Sequence, residues 1–206
     1  MIERLAEISG RDVSRETVDR LERFAELLRD ESRRQNLIAA STLETLWDRH
    51  ILDSAQLVRF EPKAGASWAD IGSGAGLPGI VIAALVSGPV ALIEPRRLRA
   101  DFLTRVVNAL GLSDRVTIVA SKAERAGGRF DAITARAVAS LERLLCISTH
   151  LSTKNTLWVL PKGKAGQSEL AEVRRNWHCD STSVPSRTDP DAGILLLRNV
   201  KPRGGR

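Results

Sequence analysis

The feature that most constrains this chain is a run of glycines, Asp70-Ile71-Gly72-Ser73-Gly74-Ala75-Gly76-Leu77-Pro78-Gly79. It joins a run of strand character, Ser67 to Ile71, to a stretch of helical character, Leu77 to Val86. Glycine lets a backbone turn through positive φ and lets a ligand come close to the main chain. In an open α/β sheet such a turn lies at the carboxyl end of the strand, where ligands bind. A plain tight turn would not need four glycines in eight residues beside an acid.

The rest of the chain repeats the same alternation. Further strands are predicted at Val90 to Glu94, Val116 to Val119, Asp131 to Ala135 and Thr156 to Leu160. Helices are predicted at Arg96 to Leu110, Val138 to His150 and Gly166 to Trp177, with Gly111 as a C-cap. Val184-Pro185 and Gly193 to Val200 are candidate closing strands. This pattern implies an α/β fold, a mostly parallel sheet with helices on both faces. Residues 1–62 read differently, as a helical extension packed on the core. Ser14 caps a helix running to about Gln35, with Val18, Leu21, Phe24 and Leu28 on one stripe. Ser41 and Glu44 form a capping box for a second helix towards Phe60. Residues 63–200 form the core, and 201–206 a basic tail expected to be disordered. The whole is one structural domain.

Composition narrows the class. No apolar run approaches the ~18 residues that span a bilayer. Glu3, Arg4 and Glu7 exclude a signal-peptide core. The two cysteines, Cys146 and Cys179, and the scattered His50, His150 and His178 build neither a disulfide scaffold nor a metal motif. A cytoplasmic monomer with no metal and no membrane partner is expected. The formal charge is +6 and unevenly spread. Residues 1–60 carry 10 basic against 12 acidic side chains, and residues 61–206 carry 21 against 13. Only six of the cations are Lys. An arginine-rich surplus suits a polyanion, although charge alone weighs no more for nucleic acid than for a solvated surface.

Two cofactor readings compete at the glycine run. Gly74 to Gly79 satisfies G-x-G-x-x-G, the dinucleotide fingerprint of an NAD-linked oxidoreductase. However, the fingerprint should begin where the strand ends, and Gly72 is already in the turn. Pro78 also removes an amide at the helix start, where a pyrophosphate needs donors. The pattern from Asp70, Asp-x-Gly-x-Gly-x-Gly, instead resembles the first motif of S-adenosylmethionine-dependent methyltransferases. Glu94 ends the next strand, where a carboxylate can accept from both ribose hydroxyls. That ribose is common to both ligands, and pairing with Arg96 or Arg97 is the plain alternative for Glu94. After the third strand, the amides of Ala123 and Glu124 are placed to meet an adenine edge.

The chain resembles the ribosomal RNA small-subunit methyltransferase G family, also called GidB, over nearly its whole length. The resemblance is carried in order by Asn36-Leu37, by Arg49-His50-Ile51-Leu52-Asp53-Ser54 and by the glycine run. It continues in Thr134-Ala135-Arg136-Ala137-Val138-Ala139 and Pro161-Lys162-Gly163-Lys164. It implies a Rossmann-like class I methyltransferase that methylates N7 of one guanine in 16S ribosomal RNA. The partner would be that RNA, the small subunit or an assembly intermediate. S-adenosylmethionine would be the cofactor and S-adenosylhomocysteine the product. By position, Gly72, Leu77, Ala123, Glu124 and Arg136 match the family's cofactor-binding residues, and Asp70, Gly74, Gly76 and Glu94 join them. Glu94 stands where many members carry Asp. A methyltransferase with a non-RNA substrate is the alternative.

Guanine N7 carries a lone pair and no proton, so attack on a sulfonium methyl needs no general base. Positioning within about 3–3.5 Å suffices, and no single side chain is assigned as catalytic. Arg136 and Lys162, each at a strand's carboxyl end, are candidates to hold guanine O6. For Arg136 a bridge to Asp70 or Asp53 is an equal alternative, and for Lys162 and Lys164 a solvated turn. His50 and Asp53 share a helical face and read as a pair that fixes the extension to the core. Arg96, Arg97 and Arg99 open a helix, against its dipole, which hints at an external anion. Lys201, Arg203 and Arg206 add to the basic surface, and Trp47 or Trp158 could stack on a base. A Gly72→Val change is expected to block ligand approach to the backbone.

Overall fold

The computed structural model describes residues 1–204. Its seven strands form one sheet in the order β3-β2-β1-β4-β5-β7-β6. The strands are β1 (Trp68–Ile71), β2 (Val90–Ile93), β3 (Val116–Val119), β4 (Ala132–Thr134), β5 (Leu157–Lys162), β6 (Trp177–Pro185) and β7 (Gly193–Pro202). β1 to β5 run parallel, whereas β7 lies antiparallel between β5 and β6. β1 is flanked by β2 on one side and β4 on the other, so the chain reverses its direction of winding there. That reversal opens a crevice beyond the carboxyl ends of β1 and β4.

Side chains alternate across the sheet with a period of two. Trp68, Val90, Leu92, Ala132 and Val159 point to one core. It is covered by α1 (Ile2–Ser9), α2 (Arg15–Ser32), α4 (Gly79–Leu85) and α5 (Arg97–Ala109). Ile71, Ile93, Ile133, Trp158 and Leu160 point to the other, under α6 (Leu141–Ser148) and α7 (Gly166–Val173). The N-terminal helices therefore share the first core with the sheet. Leu21, Phe24 and Leu28 of α2 are fully buried there. Each such side chain contributes roughly 1.5–3 kcal/mol, so α2 is held as firmly as α5. The cap at Ser14 is as expected, its Oγ accepting from Thr17 N at 3.2 Å.

α1 adds a helix ahead of the one expected from Ser14, and three expectations are corrected. No regular helix starts at the Ser41 capping box. A short 3-10 turn, Ala40–Thr42, is followed by a π-wound segment, Trp47–Leu52, then α3 (Asp53–Ala55) and a further 3-10 turn, Gln56–Phe60. From Ile51 to Val58 all residues but Asp53 are buried, so this piece runs through the protein rather than along its surface. α7 stops at Val173, because Trp177 pairs opposite Pro202 and begins β6, with its indole in the second core. Finally, Lys201 and Pro202 belong to β7, and Arg203 Nε donates to Trp177 O at 3.0 Å. The tail is ordered that far, and Arg206 lies outside the described residues.

Candidate active site

Three of the loop glycines sit at positive φ, Gly72 at +70°, Gly74 at +49° and Gly76 at +84°. A side chain is strained in that region, so the composition of the loop follows from its path. Gly79 is required for space instead. A Cβ there would lie 2.3 Å from Leu92 Cδ2 and 2.5 Å from Asp70 Oδ2. The Asp70 carboxylate closes the amino end of α4, with Oδ2 accepting from Gly79 N at 3.0 Å. Asp70 is fully buried, and burial pushes its carboxyl up to about 7 against the pull of the Gly79 amide, Ser73 and Arg136. The structure thus places Asp70 behind the loop, lining no cleft. It also disposes of the dinucleotide reading, since the first helix amide is already taken and the helix is buried from Gly79 to Ala84. Gly76 and Leu77 likewise face inward, Gly76 against Ile80, Leu103 and Phe24.

In front of the loop lies a cleft of ≈ 350 Å³. Gly72, Glu94, Ala123 and Glu124 line it together with Val138 and Ile147. Glu94 is nearly buried, and Oε2 accepts from Gly74 N at 2.9 Å and Oε1 from Arg96 N at 2.8 Å. These bonds fix the carboxylate at the cleft wall and leave each oxygen a further lone pair. Glu94 thus grips backbone amides rather than an arginine side chain. The Glu124 carboxylate pairs with Arg143 at 3.3 Å. Arg96, Arg99 and Lys122 complete a cationic rim. One expectation about Gly72 changes. The space a Cβ would take there holds Val138 Cγ2 at 2.6 Å, so Gly72→Val collides with the protein before it meets any ligand.

Arg136 does not line this cleft. It lines a second one, of ≈ 260 Å³, with His50, Asp53, Lys162 and Thr188. Its Nη1 donates to His50 Nδ1 at 3.2 Å and lies 3.6 Å from Asp53 Oδ2. His50 and Asp53 therefore meet through Arg136. Burial, then Arg136 and Arg49, bring the His50 pKa down to about 4, so the ring is neutral at pH 7. With Nδ1 accepting, the proton sits on Nε2 and is donated to Thr42 Oγ1 at 2.9 Å. Lys162 is no solvated turn. Its Nζ is 2.8 Å from Glu169 Oε2, which also accepts from Leu141 N at the start of α6. Lys164 is the exposed one, 78% open beside Asp191. Trp158 is buried in the core and offers nothing to a base.

Sequence reasoning missed Gln56, Thr188 and Glu169. Gln56, 1% exposed, donates to Asp53 Oδ1 at 2.9 Å and accepts from Arg187 N at 2.8 Å. Thr188 Oγ1 donates to Asp53 Oδ1 at 2.8 Å. The bonds from Arg187 to Gln56 and from Thr188 to Asp53 cross about 130 positions of chain, and no local pattern signals them. Among the described residues, no cluster of His, Cys, Asp or Glu could hold a metal, and no helix is long and apolar enough to cross a membrane.

A glycine-floored cleft at the switch point of this sheet, walled by an acid at the end of β2, defines the Rossmann-like class I methyltransferases. A solved S-adenosylmethionine-dependent methyltransferase from Aquifex aeolicus superposes with a TM-score of 0.60 over 75% of this chain and 93% of its own, at 14% identity. Residues 17–192 match the model of the GidB family, described as rRNA small subunit methyltransferase G. The chain is similar to the ribosomal RNA small subunit methyltransferase G of Rhizorhabdus wittichii, 47% identical over 96% of this chain and 92% of the relative. That of Zymomonas mobilis is 42% identical, over 93% and 90% respectively. The chain belongs to the rRNA small subunit methyltransferase G family.

Proposed function

We propose that this protein methylates N7 of one guanine in 16S ribosomal RNA, with S-adenosylmethionine as the methyl donor. The observation that carries the reading is the pair of clefts on either side of the turn Arg136 to Val138. One is floored by the Gly72 backbone and walled by the Glu94 carboxylate, and the other is lined by guanidinium, ammonium and imidazole groups together with the carboxylates of Asp48, Asp53 and Asp189. In the first, the Glu94 carboxylate would accept from the ribose hydroxyls, and the backbone at Ala123 and Glu124 would meet the adenine. Ile93, Val138 and Ile147 supply apolar walls. When bound, the cofactor supplies an electrophilic methyl group on a sulfonium and leaves as S-adenosylhomocysteine.

In the second cleft, Arg136 and Lys162 donate to guanine O6 and leave N7 free to attack. Neutral His50 and the Asp53 carboxylate hold Arg136 at the wall of this cleft until the base enters. With the donor bound, the guanine would have only to be held in line with the sulfonium methyl, which Arg136 and Lys162 would do from O6. No proton moves, which fits a site whose one imidazole is already engaged on both nitrogens. The test is methyl transfer from labelled S-adenosylmethionine to small-subunit particles from a strain lacking this activity. Label at guanine N7, read by the strand scission that N7-methylguanine permits, is expected. Label at another atom or on protein would overturn the assignment.

A further inference from the structure

The turn after β4 belongs to both clefts. Arg136 lines the second, whereas Ala137 and Val138 line the first. Ala137 has φ +55°, the left-handed region that a Cβ disfavours. Val138 lies against Gly72, its Cγ2 2.6 Å from the point a Cβ on that glycine would occupy. Both residues line the first cleft, so a ligand seated against the Gly72 backbone meets the Val138 isopropyl group. Behind the turn is a third cavity of ≈ 330 Å³, lined by Ala135, Ala139, Leu144 and Glu169 among others. The turn has room to move away from the first cleft. Arg136, partly exposed, is held lightly, by one bond to a neutral imidazole and a carboxylate at 3.6 Å.

We propose that Val138 is a positioning residue that reports an occupied nucleoside cleft to Arg136. A ligand settling on Gly72 displaces the isopropyl group towards the third cavity. Ala137 then leaves its strained conformation, and the rotation carries the Arg136 guanidinium off His50 and Asp53 towards the target base. The cofactor thereby prepares the base site, and by linkage the RNA tightens the cofactor by the same factor. This proposal rests on the function proposed above.

The experiment is RNA affinity with and without saturating S-adenosylhomocysteine, using small-subunit particles that lack the methyl group. The readout is the ratio of the two dissociation constants, which cancels any effect of a variant on RNA affinity alone. For the wild type a ratio of about 10 is expected, within the usual range of coupling between sites. In Val138→Ala the ratio should fall below about 2. Ala137→Gly relieves the strain of the ligand-free turn, so it should weaken S-adenosylhomocysteine several-fold. Val138→Ala keeping the wild-type ratio overturns the proposal, as does a wild-type ratio near 1. If both ligands bind and methyl transfer proceeds with a ratio near 1, only the coupling fails. If neither ligand binds, the proposed function fails and the coupling with it.

Discussion

Asp70 and His50 show how burial sets opposite signs at single residues. The Asp70 carboxyl is pushed up to about 7 by burial, so the native state holds a proton there that the unfolded chain has released. Its contribution is fully present below about pH 3.8 and is lost as pH rises through 7. The His50 pKa is lowered to about 4, so the native state binds fewer protons than the unfolded chain between 4 and 6.5. Its contribution is present above 6.5 and is lost as pH falls through 4. The two slopes oppose each other over most of that window. Asp70→Asn keeps an acceptor for Gly79 N and carries no charge to desolvate. The variant should be more stable than the wild type at pH 8, by on the order of 2 kcal/mol. Its stability should also rise with pH between 4 and 6.5, where the wild type stays flatter. Urea unfolding at a series of pH values measures both, and parallel profiles for the two proteins would refute the burial argument. Glu94 invites a ligand-side test. Glu94→Gln replaces two acceptor oxygens with one acceptor and a donor group, and a charged hydrogen bond is worth about 1.5–3 kcal/mol. Calorimetry should show S-adenosylhomocysteine binding at least tenfold weaker, and an unchanged affinity would move the ribose elsewhere.

At the scale of elements, the piece from Ile51 to Val58 joins the extension to the sheet and walls the base cleft. Gln56 binds it to the loop between β6 and β7, contacting Ser186, Arg187 and Thr188. Gln56→Leu leaves Asp53 short of one donor and the Arg187 amide without its acceptor, a cost of roughly 1–3 kcal/mol. It should raise the KM for RNA and leave S-adenosylhomocysteine affinity unchanged, because Gln56 lines only the second cleft. Equal loss at both ligands would mean that the variant loosens the whole fold. The same piece marks the limit of what the sequence shows. β1, β2, β4 and β5 are legible to within a residue or two because each is short, apolar and largely buried, and β3 because its run Val116–Val119 is β-branched throughout. The glycine loop is legible because positive φ leaves a chemical trace in the residue type. At 51–58 the stripe through Leu46, Ile51 and Ala55 signals a helix, but neither the burial on nearly all sides nor the winding that changes from π to α to 3-10 leaves such a trace. Glu94, Ala123 and Glu124 were placed in one cleft by strand order alone. Arg136 fell in the other cleft, since strand order gives the height of a residue but not the direction of its side chain.

Across the whole molecule, ion pairing sorts the charges that the composition leaves undifferentiated. On the helical extension, Arg11, Arg15, Arg20, Arg23 and Arg33 each pair with an acid of residues 1–62. Arg96, Lys122 and Arg125 have no ion pair among the described residues. They stand beside the nucleoside cleft, Arg96 and Lys122 on its rim and Arg125 at the end of the turn that begins with Ala123. These three cations are free charge at the carboxyl edge of the sheet, where a polyanion would lie over both clefts. Each phosphate contact releases condensed counterions and adds about 0.7–0.9 to the slope of log affinity against log salt. The triple variant Arg96→Gln, Lys122→Gln, Arg125→Gln should bind RNA more weakly and lower that slope by about 2–3. Filter binding of small-subunit RNA across a salt series measures it. A slope equal to the wild type's would place the RNA backbone on another face and leave these three cations without a role in docking.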